Sequence, residues 1–147
     1  MMKCPFCDEE INKITIYEGR YWKITLNPNQ YYLGRSMIIL KRHLEDPLEL
    51  SDDELMELIS LTKTFVKVLK KIFQPDLFNY AMLGNIVRHI HLHIIPRYKT
   101  ERIFEGIKFM DENWGKHYYP YPQMEIKLEI LKKIVDKIKD EFIKNFQ

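Results

Sequence analysis

"VRHIHLHIIPR", residues Val87–Arg97, sets three of the chain's five histidines at alternate positions, interleaved with Ile90, Leu92 and Ile94. In a β-strand, side chains two apart share a face. The alternation therefore predicts a strand with His89, His91 and His93 on one face and an apolar row on the core face. A rise of ~3.3 Å per residue separates His89 from His93 by about 13 Å. A zinc–nitrogen bond is only about 2 Å long. Neighbouring members of the trio can share a metal ion, but the two ends hardly can. The trio is expected to divide its tasks, against the plainer reading of a polar face rich in histidine.

Working outward, "KITIYEGRYWKITLN" reads as a hairpin, with strands at Ile14–Tyr17 and Tyr21–Leu26 and a turn at Glu18-Gly19. Asn27–Gly34 is a polar loop punctuated by Pro28 and Gly34. Arg35–Lys41 reads as a strand ending near His43. "SDDE", Ser51–Glu54, is a capping box. It opens a helix whose expected apolar stripe is Leu55, Leu58, Ile59, Phe65, Val66, Leu69, Ile72 and Phe73, with Pro75 closing it. Leu77–Leu83 is a further strand, and Pro96 is expected to end the histidine strand. Residues 97–123 show little periodicity but carry Phe104, Phe109, Trp114, Tyr118, Tyr119 and Tyr121; packing over the core is the expectation there. A C-terminal helix is predicted from the stripe Ile126, Ile130, Leu131, Ile134, Ile138 and Phe142. Strands with few helices and no regular βαβ alternation imply an α+β fold with a largely antiparallel sheet.

Residues 1–147 fit one domain, and 46% hydrophobic with 30% charged residues is a globular composition. A net charge of +2 lacks the basic excess of a nucleic-acid-binding domain. Arg88, Arg97 and Lys99 form a small local cluster that is expected to be a solvated face. No apolar run approaches the ~20 residues of a membrane span. "MMKCPFCDEE" has no signal-peptide apolar region, so a reducing cytoplasmic compartment is expected. The two cysteines, Cys4 and Cys7, form C-x-x-C, which in such a compartment suits a metal knuckle or a redox pair.

His89-Ile90-His91-Leu92-His93-Ile94-Ile95 resembles the motif of the histidine triad (HIT) family of nucleotide hydrolases and transferases. "LGRSMIILKRH" is similar to that family's central strand with its basic pair and histidine. "LSDDEL", "NYAMLGN" and "HIIPRY" follow in family order and spacing. The resemblance covers residues 4–98; residues 99–147, the aromatic loop and C-terminal helix, match less well. It implies a HIT-like α+β fold: a mostly antiparallel sheet of about five strands, a long helix after the central strand, and a C-terminal helix.

By resemblance to the zinc-containing branch, Cys4, Cys7, His43 and His89 would hold a structural Zn2+. Spacing alone does not choose His43 and His89 over His117, which is expected to be an ordinary surface residue. His91 corresponds to the family's nucleophile and His93 to the residue that hydrogen-bonds the phosphate. Gly84 and Asn85 match the short loop beside the α-phosphate. Asn27 matches a ribose contact, although a loop asparagine is as often a turn former. Many relatives carry a fourth histidine where this chain has Arg35, which cannot accept a proton. Arg35 is left open between a phosphate or carboxylate contact and a solvated charge. The resemblance implies a hydrolase acting on a dinucleoside polyphosphate such as diadenosine tetraphosphate, or on a related nucleotide such as a nucleoside phosphoramidate, through a nucleotidyl-histidine intermediate. The alternatives are a phosphorylase or nucleotidyltransferase, and a zinc-stabilised nucleotide-binding module with little catalysis. An adenine nucleotide and a second copy of the chain are the expected partners.

Overall fold

The protein's computed structural model describes residues 4–7 and 9–145. Five strands build the main sheet: β1 (Thr15–Glu18), β2 (Trp22–Leu26), β3 (Ser36–Leu40), β4 (Leu77–Ala81) and β5 (His91–Arg97). Their spatial order is β1-β2-β3-β5-β4, and every neighbouring pair is antiparallel. Helix α1 (Asp52–Phe73) follows the central strand β3, and α2 (Leu128–Asn145) closes the described chain. This is the α+β architecture that the sequence predicts. Among the described residues, no helix is long and apolar enough to cross a membrane.

The pleat decides which residues meet the helices. Ile24, Leu26, Ile38, Leu40, Ile90 and Ile94 pack with α1 and α2 in the main core. Met37 and Ile39, one residue out of phase, point to the other face, where they pack on Phe6. The helix-covered face supplies stability and leaves the opposite face for the histidines. Phe65 is fully buried between sheet and helices, its ring 6.4 Å from that of Phe142; truncating such a residue to alanine costs about 3–5 kcal/mol.

Helix α1 starts where its capping box lies. Ser51 Oγ accepts from Glu54 N at 3.1 Å, and Glu54 Oε1 accepts from Ser51 N at 2.9 Å. Arg42 also donates to both oxygens of Glu54 (2.8 and 3.0 Å). That guanidinium, helped by Ser51, holds the carboxyl down at about 2. The expected stripe needs one correction. Leu55 and Ile59 are exposed, and the buried face is Leu58, Leu61, Phe65, Val68, Leu69 and Phe73. The buried stripe centres on Leu61, Phe65 and Val68, and Leu55 and Ile59 fall at its edge in the first two turns.

Three further expectations are revised. His89 lies just before β5, although Leu40 N still donates to Ile90 O and Ile90 N to Leu44 O, so the pairing with the β3 side continues irregularly. Pro96 lies inside β5, beyond Ile94, the last residue paired with β3. A missing N–H is tolerated where one side of a strand is free. Residues 97–123 contain a second hairpin, β6 (Arg102–Phe104) and β7 (Ile107–Phe109). Its two turn residues, Glu105 (φ 51°) and Gly106 (φ 75°), both have the left-handed backbone that a tight hairpin turn demands.

Candidate active site and metal centre

Two polar clusters meet at the start of β5. The first gathers Cys4, Cys7, His43 and His89, which are far apart in sequence. A 3-10 turn over Pro5–Cys7, with Cys7 N donating to Cys4 O at 3.1 Å, brings the two cysteines together. His43 follows β3 and His89 precedes β5, and these strands are neighbours. His89 Nδ1 lies 3.4 Å from Cys4 Sγ, 3.7 Å from Cys7 Sγ and 3.2 Å from His43 Nδ1. Cys7 Sγ is 3.9 Å from His43 Nδ1. A tetrahedron built on zinc–nitrogen bonds of about 2.0–2.1 Å and zinc–sulfur bonds of about 2.3 Å has edges of roughly 3.3–3.8 Å. The donor atoms therefore stand at the spacing of one tetrahedral ion's ligands. His89 Nε2 lies 2.6 Å from Leu40 O, so that nitrogen carries the ring proton and Nδ1 keeps its lone pair for a metal.

The second cluster is a cleft of about 340 Å³ on the same face of the sheet. It brings together Asn27, Gly84, Asn85, His91 and His93, the five residues that the sequence assigns to catalysis and substrate. His91 Nδ1 lies 2.7 Å from His89 O, and a carbonyl only accepts. Nδ1 therefore bears the proton, and the lone pair is on Nε2. His93 Nε2 stands 3.1 Å from His91 Nε2. A hydrogen bond between them requires the proton on His93 Nε2, which leaves His93 Nδ1 bare and, among the described residues, without a partner. Burial, reinforced by His91 and Arg35, pushes the His93 ring down to about 3, so it is neutral at pH 7. Burial also lowers His91. Phe6 braces the nucleophile candidate: its ring meets that of His91 edge-on at 4.6 Å and that of His89 at 5.9 Å. One residue between Cys4 and Cys7 thus touches both clusters.

Gly84 has φ +67°, a left-handed backbone that favours glycine, and the space beside it is open. Asn27 lines the cleft, but its Oδ1 already accepts from Asn29 N at 2.9 Å, closing the loop. Buried Gln30 seals that loop by donating to Asn27 O and Arg35 O, both at 2.8 Å, and accepting from Gly34 N.

These geometries accompany a clear family match. The HIT domain family matches residues 8–100 of the chain. The chain belongs to the HIT domain family. An uncharacterized HIT-like protein of Methanocaldococcus jannaschii is 34% identical over 113 residues, covering 72% of this chain and 86% of that protein. The AP-4-A phosphorylase of Mycobacterium tuberculosis is 28% identical over 103 residues, 66% of this chain; the match spans 52% of the phosphorylase, about half its length. Among solved structures, a hypothetical histidine triad nucleotide-binding protein of Sulfolobus tokodaii superposes with a TM-score of 0.75 at 23% identity, over 96% of this chain and 93% of its own. A zinc-bound histidine triad family protein of Mycobacterium smegmatis superposes with a TM-score of 0.67 at 16% identity, over 96% and 94%.

In this HIT domain, two arginines depart from the reading of a solvated charge. Arg35 is buried, not solvated, with its guanidinium 4.5 Å from the Tyr121 ring and 6.0 Å from that of Tyr118. Those tyrosines belong to the segment that lacked periodicity. Arg97, expected on a solvated face, is buried instead. It donates from Nε and Nη2 to Asp111 (2.8 and 3.2 Å), and also to Asn79, Asn113 O and Lys116 O. Asn113 extends the fastening by donating to Tyr32 Oη, Tyr118 O and Pro120 O. The aromatic segment is thus tied down at Asp111 and Asn113 and brought over the cleft. His117 is exposed, its Nδ1 accepting from Tyr119 N.

Proposed function

We propose that the protein is a nucleotide phosphohydrolase that cleaves a dinucleoside polyphosphate at its α-phosphate through a nucleotidyl-histidine intermediate. The observation that carries this reading is the pinning of His91. Its Nδ1–H is held by His89 O, so its Nε2 lone pair faces the cleft beside Gly84, Asn85 and His93. A neutral imidazole fixed in that tautomer is a competent nucleophile at neutral pH. His91 Nε2 attacks the α-phosphorus; a P–N bond forms, the bridging P–O bond breaks, and the electron pair leaves with the departing phosphate. His93 Nε2–H then turns from His91 to a phosphate oxygen, and Asn85 donates to another as charge develops. Water next attacks the same phosphorus, the P–N bond breaks, and the mononucleotide departs.

A second reading is favoured by the similarity to the AP-4-A phosphorylase: inorganic phosphate takes the place of water in the second step. One experiment separates the two. Diadenosine tetraphosphate is incubated with the protein with and without phosphate. The hydrolase gives AMP and ATP in both cases; the phosphorylase gives ADP and ATP, and only with phosphate. Release of neither product with tight AMP retention would leave a binding module.

Cys4, Cys7, His43 and His89 would hold Zn2+ as a structural ion, a role consistent with their spacing and with the zinc-bound relative of the same fold. Those four residues, with a metal bound, would cross-link the N-terminal segment to the sheet and help keep Phe6 against His91. Metal analysis should find about one zinc per chain in the wild type and almost none in Cys4→Ser; a metal-free wild type with a Cys4–Cys7 disulfide would favour redox use instead.

A further inference from the structure

Three buried side-chain nitrogens lack a hydrogen-bond partner among the described residues: Arg35 Nε, Arg35 Nη1 and His93 Nδ1. All three belong to residues that line the one cleft. Buried polar atoms are nearly always paired, and a buried cation left without an acceptor is the costliest exception. Arg35 is 4% exposed, and a tyrosine ring 4.5 Å away helps hold its guanidinium. That ring packs against Tyr32, and the segment that carries it is fastened by Asn113 and the Arg97–Asp111 pair. A side chain held so firmly with two free donors is organised for an anion that the protein does not contain.

The sheet register says where along the cleft that anion lies. His91 pairs with Ile39 and His93 with Met37. Arg35 is the next residue of the same parity on that side. Nucleophile, phosphate donor and cation therefore follow one another at steps of roughly 6.6 Å along the sheet. With the α-phosphate held at His91 and His93, Arg35 is the cation on the far side of His93 from the nucleophile, where the phosphates beyond the scissile bond would run.

We propose that Arg35 binds the phosphates beyond the scissile bond, so that the cleft selects substrates whose leaving group departs as a polyphosphate anion. This deepens the hydrolase reading and rests on it for the direction of attack. Attack by His91 Nε2 breaks the bridging P–O bond, and the electron pair stays on the departing terminal phosphate oxygen. Arg35 offsets that charge with two donors and supplies no proton, because a guanidinium does not deprotonate. A phosphoramidate must instead expel an amine, which needs a proton that Arg35 cannot give. Polyphosphate esters gain from Arg35 and phosphoramidates do not.

The test compares wild type, Arg35→Gln and Arg35→Lys on diadenosine tetraphosphate and adenosine 5′-phosphoramidate. Calorimetric binding of inorganic tripolyphosphate is measured on the same preparations. Losing charge-assisted bonds should lower the ratio of kcat/KM for tetraphosphate over phosphoramidate by about 10–100-fold in Arg35→Gln. Tripolyphosphate should bind at least about tenfold more weakly. Arg35→Lys, which keeps the charge but loses the fork, should fall between. An unchanged substrate ratio, or unchanged tripolyphosphate affinity in either variant with a wild-type melting temperature, would overturn the proposal. Tripolyphosphate binding needs no turnover. Wild type that hydrolyses neither substrate yet binds tripolyphosphate through Arg35 sinks the hydrolase reading and leaves the anion site standing.

Discussion

The two ends of the histidine segment are built on opposite terms. At His89, four donor atoms converge within 4.8 Å of one another, and the spare ring nitrogen is capped by Leu40 O. At His91 and His93, two residues further on, the polar atoms diverge into a cleft, and three nitrogens of His93 and Arg35 have no partner among the described residues. Closed donor sets hold structure together. Open, buried and unsatisfied sets are where a ligand completes the bonding. The contrast assigns different work to side chains that alternate in one short motif, and Phe6 is the physical link between the two ends.

The severest way to break the cleft end is to remove its lone pair. His91→Asn should lower turnover of diadenosine tetraphosphate by at least about 10⁴-fold, with little change in melting temperature. Turnover within tenfold of wild type would mean that the two ends do not differ as described. The fastening of the aromatic segment is the next test. Arg97→Ala leaves Asp111 buried and unpaired and should cost about 3–5 kcal/mol by denaturant unfolding. The segment should also become more sensitive to protease near Tyr118–Tyr121.

At the closed end, if the proposed zinc is bound there, Cys4→Ser or chelation would remove a cross-link between the N-terminal segment and the sheet. The expected loss is about 2–4 kcal/mol, by analogy with a covalent staple. Activity should also fall, because Phe6 loses its anchor against His91. Chelation that lowers stability but leaves kcat intact would show that the closed end does not support the open one.

Acid gives the mildest discrimination. The His93 ring titrates near 3 in the fold, against 6.5 when unfolded. The unfolded chain therefore takes up a proton first as pH falls below 6.5, and the fold loses stability from 6.5 towards 3. His93→Gln should remove about 1–2 kcal/mol of the loss seen between pH 7 and pH 5. In the wild type the His93 ring resonances should not titrate between pH 8 and pH 5.

The sequence was most legible where a periodic pattern met a local rule. Alternation gave the histidine strand, the Ser51–Glu54 box gave the start of α1, and resemblance joined residues 4, 7, 43 and 89 into one set. It was least legible where partners are far apart and carry no period. Arg97 looked like one of three surface cations because its acceptor, Asp111, lies in a stretch without pattern. Tyr118 and Tyr121 lie over Arg35 in a segment that Asn113 fastens through backbone carbonyls, which leave no trace in side-chain composition. The two-residue turn at Glu105-Gly106 was readable in principle, but its strands are only three residues long. The misassigned faces of α1, Leu55 and Ile59, follow from counting apolar residues without fixing which turn meets the sheet.

The division of labour within Val87–Arg97 is tested most directly by mapping the covalent intermediate. Wild-type protein is mixed with diadenosine tetraphosphate, quenched in base, where a phosphorus–nitrogen bond to histidine survives, and sequenced by peptide mass spectrometry. A single adenylyl group on His91 is expected, with His89 and His93 unmodified. An adduct on His89 or His93, or turnover with no adduct on any histidine, would contradict it.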